Sequence, residues 1–337
     1  MMQIAQIAPP WIPVPPLTYG GTELMVARLS RALLARGQEV RLFCSGDSSL
    51  PVPHQGPYPK AFWPPDKFSE NLHLSYAWAC LRSAPPQVIH SHLENAAGFW
   101  AAGPAPAPLA ITLHTPLNAI KRDYLRHFPQ VYLVAVSDFQ YRQLQGHPRR
   151  YLIPHGLDVR DYPFQAPKQD FLLFLGRIYS DKGVPTAIRL AQETGLRLVI
   201  AGPVFAPDQP YFDQEILPHL DGEQIIYLGP VDFSRKVELL GQARGLVLPL
   251  AVDEAFGLVL LEAMACGTPI LAYGRGAVPE VVVHGETGFV VQTYAELREN
   301  CKRLKELDPF RCRDHVSQRF SLEQMVDGYL SFYGQMQ

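Results

Sequence analysis

A chain of 337 residues with 47% apolar and 18% charged side chains has ample core for a globular protein and suits two domains of about 150 to 170 residues. Its formal charge of −2 argues against a dedicated nucleic-acid binder, and no window approaches the roughly 18 to 20 apolar residues that span a bilayer. Cysteines 44, 80, 266, 301 and 312 show no paired spacing, which argues against a disulfide framework and fits a reducing cytoplasm. The opening MMQIAQIAPPW carries neither a charged leader nor a signal-length apolar run, while peripheral contact with a membrane surface stays open.

Short β-type runs alternate with helical periodicity throughout, the pattern of parallel sheets covered by helices. Gln3–Ile7 reads as a strand, Thr22–Ala35 as an amphipathic helix closed by Gly37, and Glu39–Cys44 as the next strand. A proline-rich excursion, Pro51 to Pro65, precedes a helix over Lys67–Arg82. Strands follow at Val88–His92, Leu109–His114, Tyr132–Ser137 and Tyr151–Pro154. The aperiodic, proline-bearing segment Asp158–Gln169 reads as a linker. The alternation then restarts with Phe171–Gly176, helix Val184–Glu193, Leu196–Ala201, Ile225–Leu228, helix Ser234–Ala243 and Gly245–Pro249. Helix Gly257–Cys266, strand Pro269–Ala272 and helices near Tyr294–Leu307 and Leu322–Tyr333 complete the chain. Two such layers joined by one linker predict two Rossmann-like α/β domains facing a cleft, with ligands beyond the carboxyl ends of the strands.

The stretch DEAFGLVLLEAMACGTP, from Asp253 to Pro269, sets Glu254 in a turn and Glu262 eight residues later in an apolar helix. Between them Phe256, Gly257 and Leu258 would present the unpaired amides of a helix start to a phosphate or sugar oxygen. Glu262 needs a partner among so many apolar neighbours, and ribose hydroxyls would serve. The plain alternative is a dipole-favoured acid followed by an exposed charge. In LGRIYSDKGV, Gly176 and Arg177 end a strand and Lys182 lies five residues on, so a guanidinium fork and a point charge could stabilise a departing diphosphate. They could equally be solvated loop cations.

Gly20 and Gly21, in YGGTE, open the first long helix and permit close backbone approach without forming a GxGxxG fingerprint; the nearest match, from Gly274, is spoiled by Pro279. His114 ends a strand and could bond a sugar hydroxyl, or be structural. His90 and His92, two apart on a strand, face one side as metal ligands would, but no third ligand lies at a convincing spacing. The basic cluster Lys121, Arg122 and Arg126 reads as a solvated helix face or a contact for an anionic acceptor or lipid. There is no GxSxG elbow and no D-x-D.

Taken together, GGTE (20–23), IHSH (89–92), LHT (113–115), AVSDF (135–139), IPHGLD (153–158), GRIYSDKG (176–183), the E-x7-E pair, GRGAVPEVVVHGETGFVV (274–291) and the closing FSLEQMVDGYLSFY resemble the retaining glycosyltransferases of family 4 over more than 300 residues. The resemblance implies the GT-B fold: an acceptor-side domain over 1–160, a nucleotide-sugar domain over 161–320, and a last helix, 321–337, crossing back to the first. It implies that Arg177 and Lys182 bind the donor diphosphate, Glu254 the transferred sugar and Glu262 the ribose. Gly21 would shape the phosphate and sugar site, with His114 near the sugar. One departure is His155, where the family more often carries Asn.

The implied reaction is transfer of a sugar from a nucleotide-diphosphate donor, foremost a UDP-sugar, to a hydroxyl of a glycan, lipid-linked or small-molecule acceptor. It implies retention by front-face attack, without a metal or other cofactor. An epimerase or phosphorylase on the same fold, or a non-catalytic nucleotide-sugar binder, are the alternatives. The proline-rich loops Trp11–Tyr19 and Pro51–Pro65 are expected to set acceptor choice.

Overall fold

Every strand ladder in the computed structural model is parallel, as expected of strands separated by helices rather than tight turns. The structure describes residues 1–64 and 66–337. Pro65, the last residue of the second proline-rich loop, lies outside the described residues. The chain divides into two compact units, one of Met1–His155 with Leu322–Gln337 and the other of Gly156–Ser321.

The N-terminal unit holds strands β1 (Gln3–Ile7), β2 (Glu39–Phe43), β3 (His54–Gln55), β4 (Val88–Ser91), β5 (Leu109–Thr112), β6 (Tyr132–Ala135) and β7 (Arg150–Leu152). Their order is β3-β2-β1-β4-β5-β6-β7. Its helices are α1 (Gly21–Ala35), α2 (Lys67–Ser83), α3 (Ala96–Ala101), α4 (Ala119–Arg126) and α5 (Asp138–Gln143). The i, i+4, i+8 spacing of Met25, Leu29 and Leu33 gives α1 one apolar stripe, and all three side chains are buried. Asp66 caps α2 by accepting from the Phe68 and Ser69 amides.

The C-terminal unit repeats the pattern. Strands β8 (Phe171–Leu175), β9 (Arg197–Ala201), β10 (Ile225–Tyr227), β11 (Gly245–Leu248), β12 (Ile270–Tyr273) and β13 (Gly288–Val291) take the order β10-β9-β8-β11-β12-β13. Around them lie α6 (Val184–Thr194), α7 (Gln209–Glu215), α8 (Phe233–Gln242), α9 (Leu258–Ala265), α10 (Val278–Val281), α11 (Tyr294–Arg303) and α12 (Pro309–Arg319). The last helix, α13 (Leu322–Gln335), belongs to the N-terminal unit, where Tyr329 and Tyr333 are fully buried. In both sheets the strand order reverses beside the first strand, between β1 and β4 and between β8 and β11, which is where such sheets open a crevice for ligands.

The segment Asp158–Gln169 is not a free tether, because it packs within the C-terminal unit. Tyr162 is fully buried, and the Arg313 guanidinium of α12 donates to the Val159, Tyr162 and Ala265 carbonyls at 2.8, 2.6 and 2.5 Å. These contacts are invisible in the segment's own composition, which is why it reads as a linker. Helices α7, α10 and α12 also escape a periodicity reading, since two are very short and α12 is mostly polar. Among the described residues no helix is long and apolar enough to cross a membrane.

Candidate functional site

In the C-terminal unit the two neighbouring strands at the reversal point each send a loop over the carboxyl edge. After β8 the chain runs through Gly176 and Arg177 into a 3₁₀ turn, Ser180–Lys182; after β11 it runs through Glu254 to the start of α9. The Ala251 amide donates to the Asp181 carbonyl at 2.9 Å and stitches the loops together. Gly183, at φ 72°, turns the chain where a Cβ would strike the Pro249 carbonyl, so the close approach of the loops depends on glycine there.

This stitching brings Lys182 and Glu254 together, Nζ to Oε2 at 2.9 Å, with both side chains only about a fifth exposed (20% and 18%). Arg177 donates through Nε and Nη2 to Oδ2 of Asp208, at 3.0 and 2.7 Å. Its guanidinium lies over the rings of Tyr179 (4.8 Å) and Phe205 (5.1 Å). Tyr179 is also 5.9 Å from the Lys182 ammonium, so one ring serves both cations. Asp208, Tyr179 and Phe205 are site residues that sequence reasoning missed. Asp208 lies 31 positions from Arg177, beyond a strand, and no motif links them.

Glu254 is held by its backbone. It forms a parallel bridge with Gly276, and its carbonyl accepts from the Ala277 amide at 2.9 Å. Asp253 Oδ1 accepts from the Gly276 amide at 2.9 Å. Gly257 caps α9 in the left-handed region (φ 87°); its carbonyl accepts from the Leu260 amide at 2.9 Å, and the amides of Leu258 and Val259 ahead of it are the ones a helix start leaves without helical acceptors. Phe256 is 3% exposed and packs edge-on against Phe320 at 5.8 Å, so it can offer a ligand its backbone rather than its ring.

Glu262 is buried in α9, whose remaining interior residues are apolar. Its Oε1 accepts from Lys236 Nζ and from the Tyr162 hydroxyl, both at 2.8 Å. Protein groups thus already meet the need for a partner that sequence reasoning assigned to ribose. Lys236 sits on α8 and Tyr162 100 positions upstream, so neither was signalled by the motif.

In the N-terminal unit Gly20 and Gly21 open α1, and His114 follows β5. Glu23, two residues into the helix from Gly21, is 4% exposed, and burial pushes its carboxyl up to about 7. His114 does not stand alone. Its Nε2 is 2.8 Å from His92 Nδ1, and His92 Nε2 is 2.7 Å from Gln6 Oε1. Gln6 Nε2 donates to the Tyr333 hydroxyl at 3.4 Å, which lies 2.6 Å from His90 Nδ1. His90 Nε2 meets Thr112 Oγ1 at 2.7 Å, and Thr112 meets the Tyr329 hydroxyl at 2.8 Å. Helix α13 therefore enters the N-terminal core through a polar chain of strand-end residues. His155, the departure from the family pattern, stacks on His114 at 5.2 Å between ring centroids.

His90 and His92 do share a side, as strand alternation requires, with centroids 4.3 Å apart. Their nitrogens bond within this chain, and among the described residues no group of three or more His, Cys, Asp or Glu is arranged to hold a metal. Of the basic cluster, Lys121 is paired with Glu94 at 3.2 Å.

Burial lowers the pKa of His90 and His114 to about 3, and burial with neighbouring imidazoles holds His92 well below 6.5; His155 is held down by burial, His114 and Arg28. Because the folded pKa values lie below the unfolded ones, this stabilising contribution is present above about 6.5 and is lost as pH falls towards 3. For His90 alone the loss at pH 5 is on the order of 2 kcal/mol. Urea midpoints measured from pH 7.5 to 5 are expected to fall, and His90→Phe should flatten that fall; a midpoint independent of pH would contradict the buried neutral imidazoles.

Comparison with known proteins adds to this geometry. The model of "Glycosyltransferase Family 4" matches residues 19–161, and that of "Glycosyl transferases group 1" matches residues 160–315. A phosphatidyl-myo-inositol mannosyltransferase of Mycobacterium leprae is 28% identical over 332 residues, covering 86% of this chain and 83% of that protein. Among solved structures, AviGT4, a glycosyltransferase involved in avilamycin A biosynthesis, is similar with a TM-score of 0.72 at 25% identity, covering 99% of this chain and 98% of that one. Sucrose-phosphate synthase from Thermosynechococcus elongatus shares the fold, with a TM-score of 0.85 at 19% identity and 99% of both chains covered.

Proposed function

Since the chain belongs to the group 1, family 4 glycosyltransferases of GT-B fold, we propose that it moves a sugar from a nucleoside-diphosphate donor to an acceptor hydroxyl, with retention at the anomeric carbon and without a metal ion. The observation that carries this reading is the convergence of Lys182 and Glu254 at the β8–β11 reversal, beside Arg177 and the start of α9. Lys182, Arg177 and the first amides of α9 neutralise the growing charge on the departing diphosphate, the task a divalent cation performs in other designs. Glu254 accepts hydrogen bonds from hydroxyls of the transferred sugar, and Glu262 takes the ribose. Attack comes from the face of departure, and the leaving phosphate oxygen takes the acceptor's proton, so Glu254 orients rather than reacts. In the N-terminal unit Gly20 and Gly21 allow close backbone approach, and His114 bonds a sugar hydroxyl.

Acceptor choice is assigned to the two proline-rich loops, which meet where Trp11 packs edge-on against Phe62 at 5.4 Å. A panel of nucleotide sugars tests the reading, with UDP-sugars first. One donor is expected to raise Tm in proportion to its affinity, and NMR of the product should show the donor's anomeric configuration. Turnover should survive EDTA. Inversion, loss of turnover on chelation, or conversion of the donor sugar without an acceptor would each overturn the corresponding part of the proposal.

A further inference from the structure

The polar chain that ends on His114 admits two self-consistent arrangements of its protons, and its bond lengths favour one. In the first, Tyr333 donates its phenolic proton to His90 Nδ1 at 2.6 Å and accepts from the Gln6 amide nitrogen at 3.4 Å. Gln6 Oε1 is then free to accept from His92 Nε2 at 2.7 Å. In the second, every proton is reversed, and the Gln6 amide nitrogen would have to donate to an imidazole nitrogen across that same 2.7 Å. The structure sets the Gln6 amide oxygen at the 2.7 Å contact and its nitrogen at the 3.4 Å contact, and 2.7 Å lies in the range of an N–H to a carbonyl oxygen. A phenolic hydroxyl is also a stronger donor than the N–H of a neutral imidazole, which fits the short contact between Tyr333 and His90.

The first arrangement has one consequence at the far end. With its proton on Nε2, neutral His92 keeps a lone pair on Nδ1, so the 2.8 Å contact requires His114 to donate from Nε2. The remaining nitrogen of His114, Nδ1, then carries a lone pair. His114 is half-buried, and among the described residues its Nδ1 makes no hydrogen bond to protein.

We propose that His92, backed by Gln6, is a positioning residue that locks His114 as the Nε2–H tautomer and so offers a substrate hydroxyl an acceptor. The proposal rests on the transferase reading for the identity of that substrate, but the lock itself does not. It also gives His114 a specificity: a sugar hydroxyl can donate to the lone pair, whereas a substrate group that only accepts, such as a carboxylate or a ring oxygen, is disfavoured there. The paired histidines of the IHSH segment thereby acquire separate duties. His90 joins α13 to the strand ends through Tyr333 and Thr112, and His92 sets the proton on the histidine that faces substrate.

The test is a long-range ¹H–¹⁵N spectrum of the full chain with ¹⁵N-labelled histidine, recorded at pH 7.5 without substrate. His114 is expected as a single species, protonated at Nε2 and unprotonated at Nδ1. A proton on Nδ1, or a mixture of the two tautomers, overturns the proposal. His92→Leu should release the lock, giving mixed tautomers and a loss in kcat of between about ten- and a hundredfold. His92→Asn, whose Oδ1 can stand where the ring Nδ1 stood, should keep the lock and most of the kcat. If His92→Leu does not fold, the wild-type and His92→Asn spectra still decide. Wild-type turnover in a folded His92→Leu variant overturns the positioning role. A locked tautomer in a protein that proves not to transfer sugar would instead count against the function proposed above and leave the lock standing.

Discussion

Replacing Lys182 with alanine is expected to lower kcat by roughly 10²–10³-fold while leaving the protein folded, a loss of about 3 to 4 kcal/mol of transition-state stabilisation. Lys182 is a compact charge at the end of a 3₁₀ turn, fixed by the left-handed Gly183 and by the bond from Ala251 to Asp181. Such a donor needs no reorganisation as charge develops on the leaving phosphate, which is why its removal falls on kcat more than on KM. The pairing with Glu254 adds a second effect, because the alanine variant leaves that carboxylate, 18% exposed, without its ammonium.

A double-mutant cycle separates the two effects. Glu254→Gln keeps the shape of the side chain and removes its charge, so the coupling between positions 182 and 254 reports the ion pair alone. The remainder of the Lys182 loss is then its action on the diphosphate. Arg177→Ala should cost a comparable amount, since Arg177 shares the Tyr179 ring with Lys182. Near-wild-type turnover in both single variants would remove the diphosphate assignment.

How much of this was legible beforehand varies with the range of the interaction. The strands of both sheets other than β3 and β13, and α1, α2, α6, α8, α9, α11 and α13, were readable because local periodicity and caps specify them, with ends shifted by a few residues at most, apart from α11, which closes four residues early in a 3₁₀ turn (Leu304–Glu306). The two-residue β3 falls inside the stretch read as a proline-rich excursion, and β13 was signalled only by the family resemblance of 274–291. Lys182 and Glu254 were readable as candidates because each sits in a motif at a strand end. Their contact spans 72 positions and depends on which strands are neighbours, and periodicity does not encode strand order. Asp208, Lys236 and Tyr162 were not readable at all, since an acid, a lysine and a tyrosine without a motif acquire roles only from what they touch. His92 was noticed for its geometry and set aside as a metal ligand, which left it without a role: alternation places it beside His90, but only the structure shows its bonds to Gln6 and His114.

Removing the ammonium beside Glu262 should strongly destabilise the C-terminal unit. Lys236 and Glu262 have side chains only 12% and 6% exposed, and taking away one partner of so buried a pair costs about 3 to 5 kcal/mol. Lys236→Met is therefore expected to lower Tm by roughly 6 to 20 °C for a unit of this size. The double variant Lys236→Met/Glu262→Leu should recover most of that loss, because no uncompensated charge remains in the interior, although the Tyr162 hydroxyl gives up its acceptor. That recovery makes the two roles of Glu262 separable. If the carboxylate only organises α8, α9 and the 158–169 segment, the double variant will bind UDP as the wild type does. If it also holds the ribose, as proposed, the double variant will be stable and yet bind UDP more weakly, by the loss of hydrogen bonds to a charged acceptor worth about 1.5 to 3 kcal/mol each. Titration of both variants with UDP, alongside urea unfolding, distinguishes a carboxylate kept for the fold from one that the fold has placed for a ligand.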